Sequence, residues 1–284
     1  LSLRGMQQQS MSPRNNNNRS TESENNKKTN RRKRVLLGIS GSVAAVKGPE
    51  LALQLSRELD DGSGVGADVA ILLTHGGENF WQKSRDYNAK FWDECNDRIS
   101  KGQFQLPGCQ DGDSSMGMRC EIPNLPSKDV HDSSPCILLY GAQDEWKGWN
   151  KMSDPVLHIQ LRDWADIAII APLSAHTLAK IANGLCDDTL TCVMRAWNFG
   201  HTSSRRAKPL VLAPAMNTGM WDHPLTQLQL KKIQGFCNLD HGRQCLVKIV
   251  EPQVKTLACG EVGNGAMASV MDIVNVANNC FLEK

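Results

Sequence analysis

Three short stretches combine small and hydroxyl-bearing residues just after apolar runs: Gly41-Ser42-Val43, Thr74-His75-Gly76 and Ser174-Ala175-His176-Thr177. Backbone N–H groups at a strand-to-helix turn, aided by the positive end of the helix dipole, favour anions, and a hydroxyl adds a donor. Three such loops along one sheet edge point to a phosphorylated cofactor. The two common nucleotide signatures are missing: no G-x-G-x-x-G follows the first apolar run, and Val46-Lys47-Gly48 is not a Walker lysine. On spacing alone each loop reads first as an ordinary turn or helix cap. Three further residues have side chains able to act on a ligand. His158 follows Ser153-Asp154-Pro155, a capping side chain and then Pro, which predicts a helix start. The dipole there disfavours imidazolium, and a neutral imidazole can take up a proton. The Asn217 amide can donate to a carboxylate, or else bond its own backbone as loop asparagines do. Cys259 sits among Gly260, Gly263 and Gly265, in a loop able to open and close over a ligand. Taken alone, it reads as a small buried hydrophobe.

These residues must be positioned by an alternating chain. Val35–Ile39 is a short apolar strand, and a helix is expected from Val43 to about Leu59, with Leu51, Leu55 and Leu59 on one face. Ala67–Thr74 is the next strand. From Trp92 to Pro135 the chain is rich in Gly, Asp, Ser and Pro without a sustained period, and reads as an inserted irregular loop. Order resumes at Ile137. Leu157, Leu161, Trp164 and Ala165 share a helical face, and Asp166–Ala171 is a third strand followed by a helix over Ser174–Ile181. Leu210–Ala213 is a fourth strand. A helix at Pro224–Ile233, a strand near Val247–Val250, a glycine-rich loop at Cys259–Gly265 and a helix at Val270–Phe281 complete the pattern. Continuous apolar strands alternating with helices predict an α/β fold: one doubly wound (Rossmann-like, flavodoxin-like) parallel sheet with helices on both faces. That domain is expected over residues 34–284, after a disordered, basic, low-complexity tail at 1–33.

Composition narrows the function. The 284 residues carry 32 Lys+Arg and 30 Asp+Glu. Residues 1–34 hold nine basic and two acidic side chains, so the body is slightly acidic and does not resemble a nucleic-acid reader. Arg31–Arg34 reads as a solvated linker feature rather than an address. No apolar run reaches the roughly 20 residues that span a bilayer, so no membrane role is expected. The ten cysteines show no C-x-x-C and no zinc spacing, which predicts reduced thiols in a cytoplasmic protein without a metal site. The first 34 residues lack a signal-peptide apolar core, while their Arg and Ser content leaves an organellar address open.

The segment Pro214-Ala215-Met216-Asn217-Thr218-Gly219-Met220-Trp221 matches the P-x-M-N-x-x-M-W signature of the flavin-containing cysteine decarboxylases, and the chain resembles that family elsewhere too. The likeness runs in family order through Gly38–Ala45, Leu157–Asp166, Ala171–Leu178 and Leu257–Ala268, and is closest to the coenzyme A branch. It implies FMN as cofactor and decarboxylation of 4′-phosphopantothenoylcysteine to 4′-phosphopantetheine. The implied route is transient oxidation to a thioaldehyde, loss of CO2 and re-reduction of the ene-thiolate. It also implies a homotrimer with FMN between subunits, and a separate synthetase that supplies the substrate.

Residue by residue, the resemblance assigns His158 as the active-site histidine and Cys259 as the flap proton donor. Asn217 would bind the substrate carboxylate, with Ala258 and Met267 as further substrate contacts. FMN would be held by Gly41, Ser42, Val43, Thr74, Ser174, Ala175, His176, Thr177 and Ala215. The sequence departs from the pattern in several places: His176 replaces a common Asn, the second loop Thr74–Phe80 is only loosely similar, Thr256 stands where relatives carry a basic residue, and insertions fall near Trp92–Pro135 and around Phe236–Cys245. Two rivals share the fold, a non-catalytic regulator of a type 1 protein phosphatase and a peptidyl-cysteine decarboxylase. The presence of His158, Asn217 and Cys259 in one chain favours the enzyme.

Overall fold

Six apolar runs become neighbouring parallel strands in the computed structural model: β1 (Lys33–Ile39), β2 (Ala67–Leu73), β3 (Ile137–Tyr140), β4 (Ile167–Leu173), β5 (Leu210–Pro214) and β6 (Val247–Ile249). The structure describes residues 32–59, 66–103, 135–147, 149–201, 207–237, 246–256 and 262–282. The strand order is β3-β2-β1-β4-β5-β6, the doubly wound arrangement whose direction of winding reverses between β1 and β4. Residues across that junction pair in parallel, Val35 with Ile167 through Gly38 with Ile170.

Alternate side chains of the same strand feed two cores. Val35, Leu37 and Ile39 point to one side of the sheet and Leu36 to the other. The first side is covered by α1 (Gly48–Glu58), α4 (Ala89–Gln103) and α11 (Val270–Leu282), which bury Leu51 and Leu55, Cys95 and Ile99, and Ile273 and Phe281. The second is covered by α6 (Leu157–Trp164), α7 (Ala175–Asn183), α8 (Thr189–Arg195) and α10 (Pro224–Gln234), through Leu161, Leu178, Val193 and Ile233 among others. Each fully buried aliphatic side chain of this kind stabilises the fold by roughly 1.5–3 kcal/mol relative to exposure. Short helices α2 (His75–Trp81), α3 (Ser84–Tyr87), α5 (Asp144–Lys147) and α9 (Thr218–Trp221) lie in the connections. Strands β7 (Gln253–Thr256) and β8 (Val262–Ala266) form a separate antiparallel ribbon.

Four details differ from the sequence reading. The expected Val43–Leu59 helix is a 3₁₀ turn over Val43–Lys47 followed by α1, because Pro49 at the first turn of α1 cannot donate back to the preceding turn. The expected irregular insertion begins later than Trp92, since α4 continues to Gln103; residues 104–134 lie outside the described residues. The glycine-rich loop contributes β8, paired Val254 with Asn264 and Lys255 with Gly263. The helix carrying His158 starts at Leu157, not at Ser153–Pro155, because Asp154 caps something else: its Oδ2 accepts from the backbone N–H groups of Asn150 (2.8 Å) and Lys151 (2.9 Å). The expected tail at 1–33 lies outside the described residues except for Arg32 and Lys33, the latter being the first residue of β1.

Candidate active site

The carboxyl ends of β1, β2, β4 and β5 are joined to one another before any ligand is considered. Thr74 N–H donates to the Ile39 carbonyl (3.1 Å), linking the β2 loop to β1. Ser40, fully buried, links β1 to β4: its hydroxyl donates to the Pro172 carbonyl (2.6 Å) and accepts from Ser174 N–H (2.7 Å). Ala215 N–H donates to the Leu173 carbonyl (2.9 Å), linking β5 to β4. Pro172 has no N–H for the ladder, and the β4–β5 register shifts between Ile170 and Leu173 accordingly. Gly41 and Gly76 abut; a Cβ on Gly76 would lie 2.8 Å from the Gly41 Cα, so larger residues would separate the first two loops.

Each loop ends in a side-chain cap at the head of the helix that follows it. Ser42 accepts from Ala44 N–H (3.4 Å), Thr74 from Gly77 N–H (3.1 Å) and Ser174 from Thr177 N–H (3.3 Å). A hydroxyl that accepts in this way keeps its own proton to donate. Asn217 caps α9, its Oδ1 accepting from Met220 N–H (2.8 Å), while the residue itself remains exposed. Of the two sequence readings of these loops, the cap is what the hydrogen bonds show.

Of the other residues singled out, Gly41, Val43 and His176 are exposed and Ala175 is half-buried on the same edge. Thr177 is buried, and its hydroxyl accepts from Ser174 Oγ (3.3 Å). Ala215 and Met267 are buried in the first core. The β8 ribbon is fastened beneath Asn217, since Met216 N–H donates to the Gly265 carbonyl (3.0 Å). Gly265 has φ +155°, and a Cβ there would run into the Met216 carbonyl oxygen. Ala258 and Cys259 lie outside the described residues.

His158 belongs to α6, outside these loops. It is the second residue of α6, whose amino end reaches the same sheet edge because α6 runs antiparallel to β4. Val156 supplies no side-chain cap; instead the Glu145 carboxylate accepts from His158 N–H (3.1 Å) and lies 2.6 Å from the ring Nδ1. Glu145 is a residue the sequence did not reveal. It lies 13 positions from His158, in a separate element, beside a second acidic residue, so neither spacing nor composition marks it.

No disulfide joins Cys95, Cys136, Cys186, Cys192, Cys237 or Cys280. Burial pushes the Cys95, Cys136 and Cys192 thiols up to about 12, which keeps them protonated and unreactive at neutral pH. Among the described residues no cluster of His, Cys, Asp or Glu is arranged to hold a metal ion, and no helix is long and apolar enough to cross a membrane.

A doubly wound sheet whose switch-point edge carries capped, anion-facing loops is the architecture of proteins that hold a phosphorylated cofactor beyond their strand ends. The chain belongs to the Flavoprotein family, whose profile matches residues 23–281. It is 52% identical over 146 residues to a probable phosphopantothenoylcysteine decarboxylase of Arabidopsis thaliana, a match covering 51% of this chain and 61% of that protein. The chain thus spans less than two thirds of that plant relative's length. It is 35% identical over 241 residues to the mouse phosphopantothenoylcysteine decarboxylase, covering 85% of this chain and 83% of the mouse protein. Two solved structures each share 34% sequence identity with it and match 89% of its length. One is a cysteine-to-serine mutant PPC decarboxylase complexed with pantothenoylaminoethenethiol (all of that chain, TM-score 0.60). The other is the FMN binding protein AtHal3 (99% of that chain, TM-score 0.59).

Proposed function

We propose that the chain is an FMN-dependent decarboxylase that converts 4′-phosphopantothenoylcysteine to 4′-phosphopantetheine and CO2 in coenzyme A synthesis, acting as a cytoplasmic homotrimer. The observation that carries this reading is the stitched edge formed by the β1, β2, β4 and β5 loops, ending in Asn217. The names of the relatives supply the substrate.

The residues present fit FMN. The helix-head N–H groups after Ser42, Thr74 and Ser174 suit a phosphate monoester. The exposed backbone of Gly41 and Val43, with Ala175 and His176, lines the approach. FMN supplies a transient two-electron oxidation and its return, so the reaction has no net redox change.

The chain's own residues supply the rest. Asn217 donates its amide N–H to the substrate carboxylate, and carries no positive charge that would hold a leaving CO2. His158 takes up a proton at a ring nitrogen. Cys259, in the role the family resemblance gives it, returns a proton to the ene-thiolate. The exposed apolar series Trp146, Trp149, Met152 and Val156 just before His158 supports a site completed by a neighbouring subunit.

Incubating the purified, flavin-loaded protein with 4′-phosphopantothenoylcysteine tests the proposal, with products read by mass spectrometry. Appearance of 4′-phosphopantetheine is the expected result. FMN-loaded protein that leaves the substrate intact overturns it.

A further inference from the structure

We infer that Glu145 is the positioning residue of His158: its carboxylate holds the imidazole with the proton on Nδ1, so that Nε2 is the atom left to accept the substrate's proton. The inference rests on the reading of His158 as the base.

Glu145 is buried, 6% exposed, while its neighbours Trp146 and Lys147 on α5 face solvent. Placing a carboxylate there is expensive unless its oxygens are satisfied. Both oxygens are satisfied by one residue: Oε2 accepts from His158 N–H at 3.1 Å, and Oε1 lies 2.6 Å from Nδ1. An ionised carboxylate only accepts, so Nδ1 is the donor and the neutral ring presents its lone pair at Nε2. The grip on backbone and ring together fixes the ring's direction, and the His158 side chain is 27% exposed, open enough for a ligand to reach. A proton taken up at Nε2 makes an imidazolium whose charge faces the Glu145 carboxylate.

The backbone of Glu145 is held by α8: its N–H donates to Thr189 Oγ1 (3.1 Å), and that hydroxyl donates to the Gly141 carbonyl (2.8 Å). The turn before α5 is tied to α2, where Glu78 accepts from Ala142 N–H (2.7 Å). The ionisable groups around it on α5 and α8 are Asp144, paired with Lys147 at 2.7 Å, then Asp188 and Cys192. Asp188 closes the α8 capping box.

The E145Q variant separates positioning from mere helix capping. The amide oxygen can still accept from the His158 N–H, but its NH2 group faces Nδ1 and forces that nitrogen to accept. The ring then carries its proton on Nε2 and cannot act as the base. We expect E145Q to keep its fold and flavin, with kcat lowered about 10- to 100-fold and KM changed less than about twofold. Nitrogen-15 spectra of the imidazole should show the Nδ1–H form in the wild type and the Nε2–H form in E145Q. E145D, which keeps the charge, should retain the wild-type tautomer and more activity than E145Q. Wild-type kcat in E145Q, or an Nε2–H ring in the wild type, overturns the inference. If E145Q does not fold, the wild-type spectrum together with E145D decides. The tautomer is read without turnover, so a wild type that shows Nδ1–H yet no decarboxylation sinks the proposed function and leaves the pairing intact.

Discussion

At the scale of single residues, Asn217 has two duties that substitution can separate. Its Oδ1 caps α9, and its N–H face is free for a carboxylate. Aspartate caps a helix as well as asparagine does, whereas alanine forfeits about 1 kcal/mol. N217D should therefore unfold at the wild-type temperature while its KM rises about tenfold or more, because two carboxylates then face each other. An unchanged KM would remove Asn217 from the substrate site. His158 shows a different division between sequence and structure. Its identity was legible from the surrounding block, but its environment was not. The expected neutralising influence of a helix begun at Asp154 gives way to a helix begun at Leu157 and a buried carboxylate on the ring.

Among the elements, α4 offers a clear pH test. Burial against α1 and the sheet pushes the Cys95 thiol up to about 12, against 9.0 for an ordinary thiol. The native state holds this proton more tightly than the unfolded chain. Its contribution is thus fully present below about pH 9 and is lost as pH rises through 12. The urea midpoint should fall between about pH 8 and about pH 10.5, and should fall less steeply in C95A. Equal slopes would mean that the thiol is not buried as described. The same helix shows why parts of the fold were hidden in the sequence. Strands β1, β2, β4 and β5 are largely apolar runs and declare themselves, whereas α4, among its described side chains, fully buries Cys95 and Ile99, with Phe91 and Trp92 partly buried against the core. These four keep a helical spacing, but they open the Gly-, Ser- and Pro-rich stretch that follows and read together with it. Likewise Gly263 and Gly265 made β8 read as loop, although their missing side chains let it pass close to Thr218 and to the Met216 backbone respectively. The capping roles of Ser42, Thr74 and Ser174 were legible because a hydroxyl after an apolar run marks a helix start; Ser40 was not, because a buried serine at a strand end carries no spacing signal.

For the whole molecule, the proposed trimer predicts complementation. H158N alone should be inactive with its flavin bound, and A175E, which places a carboxylate at the head of α7, should be inactive for want of flavin. Co-assembled from both chains, the protein should regain activity, because some sites then pair an intact flavin edge with an intact His158. Mixed assemblies without activity would place both groups in the same subunit. The junction between β1 and β4 has a consequence for the timing of synthesis. Ser40 and Pro172 are 132 residues apart in the chain. At about 5–20 residues per second the ribosome needs on the order of ten seconds to make the second after the first. Throughout that interval one side of β1 has no neighbour, so a nascent chain must keep that strand from pairing wrongly. The Ser40 hydroxyl, which bridges to Pro172 and Ser174, can close that junction only once β4 has been made.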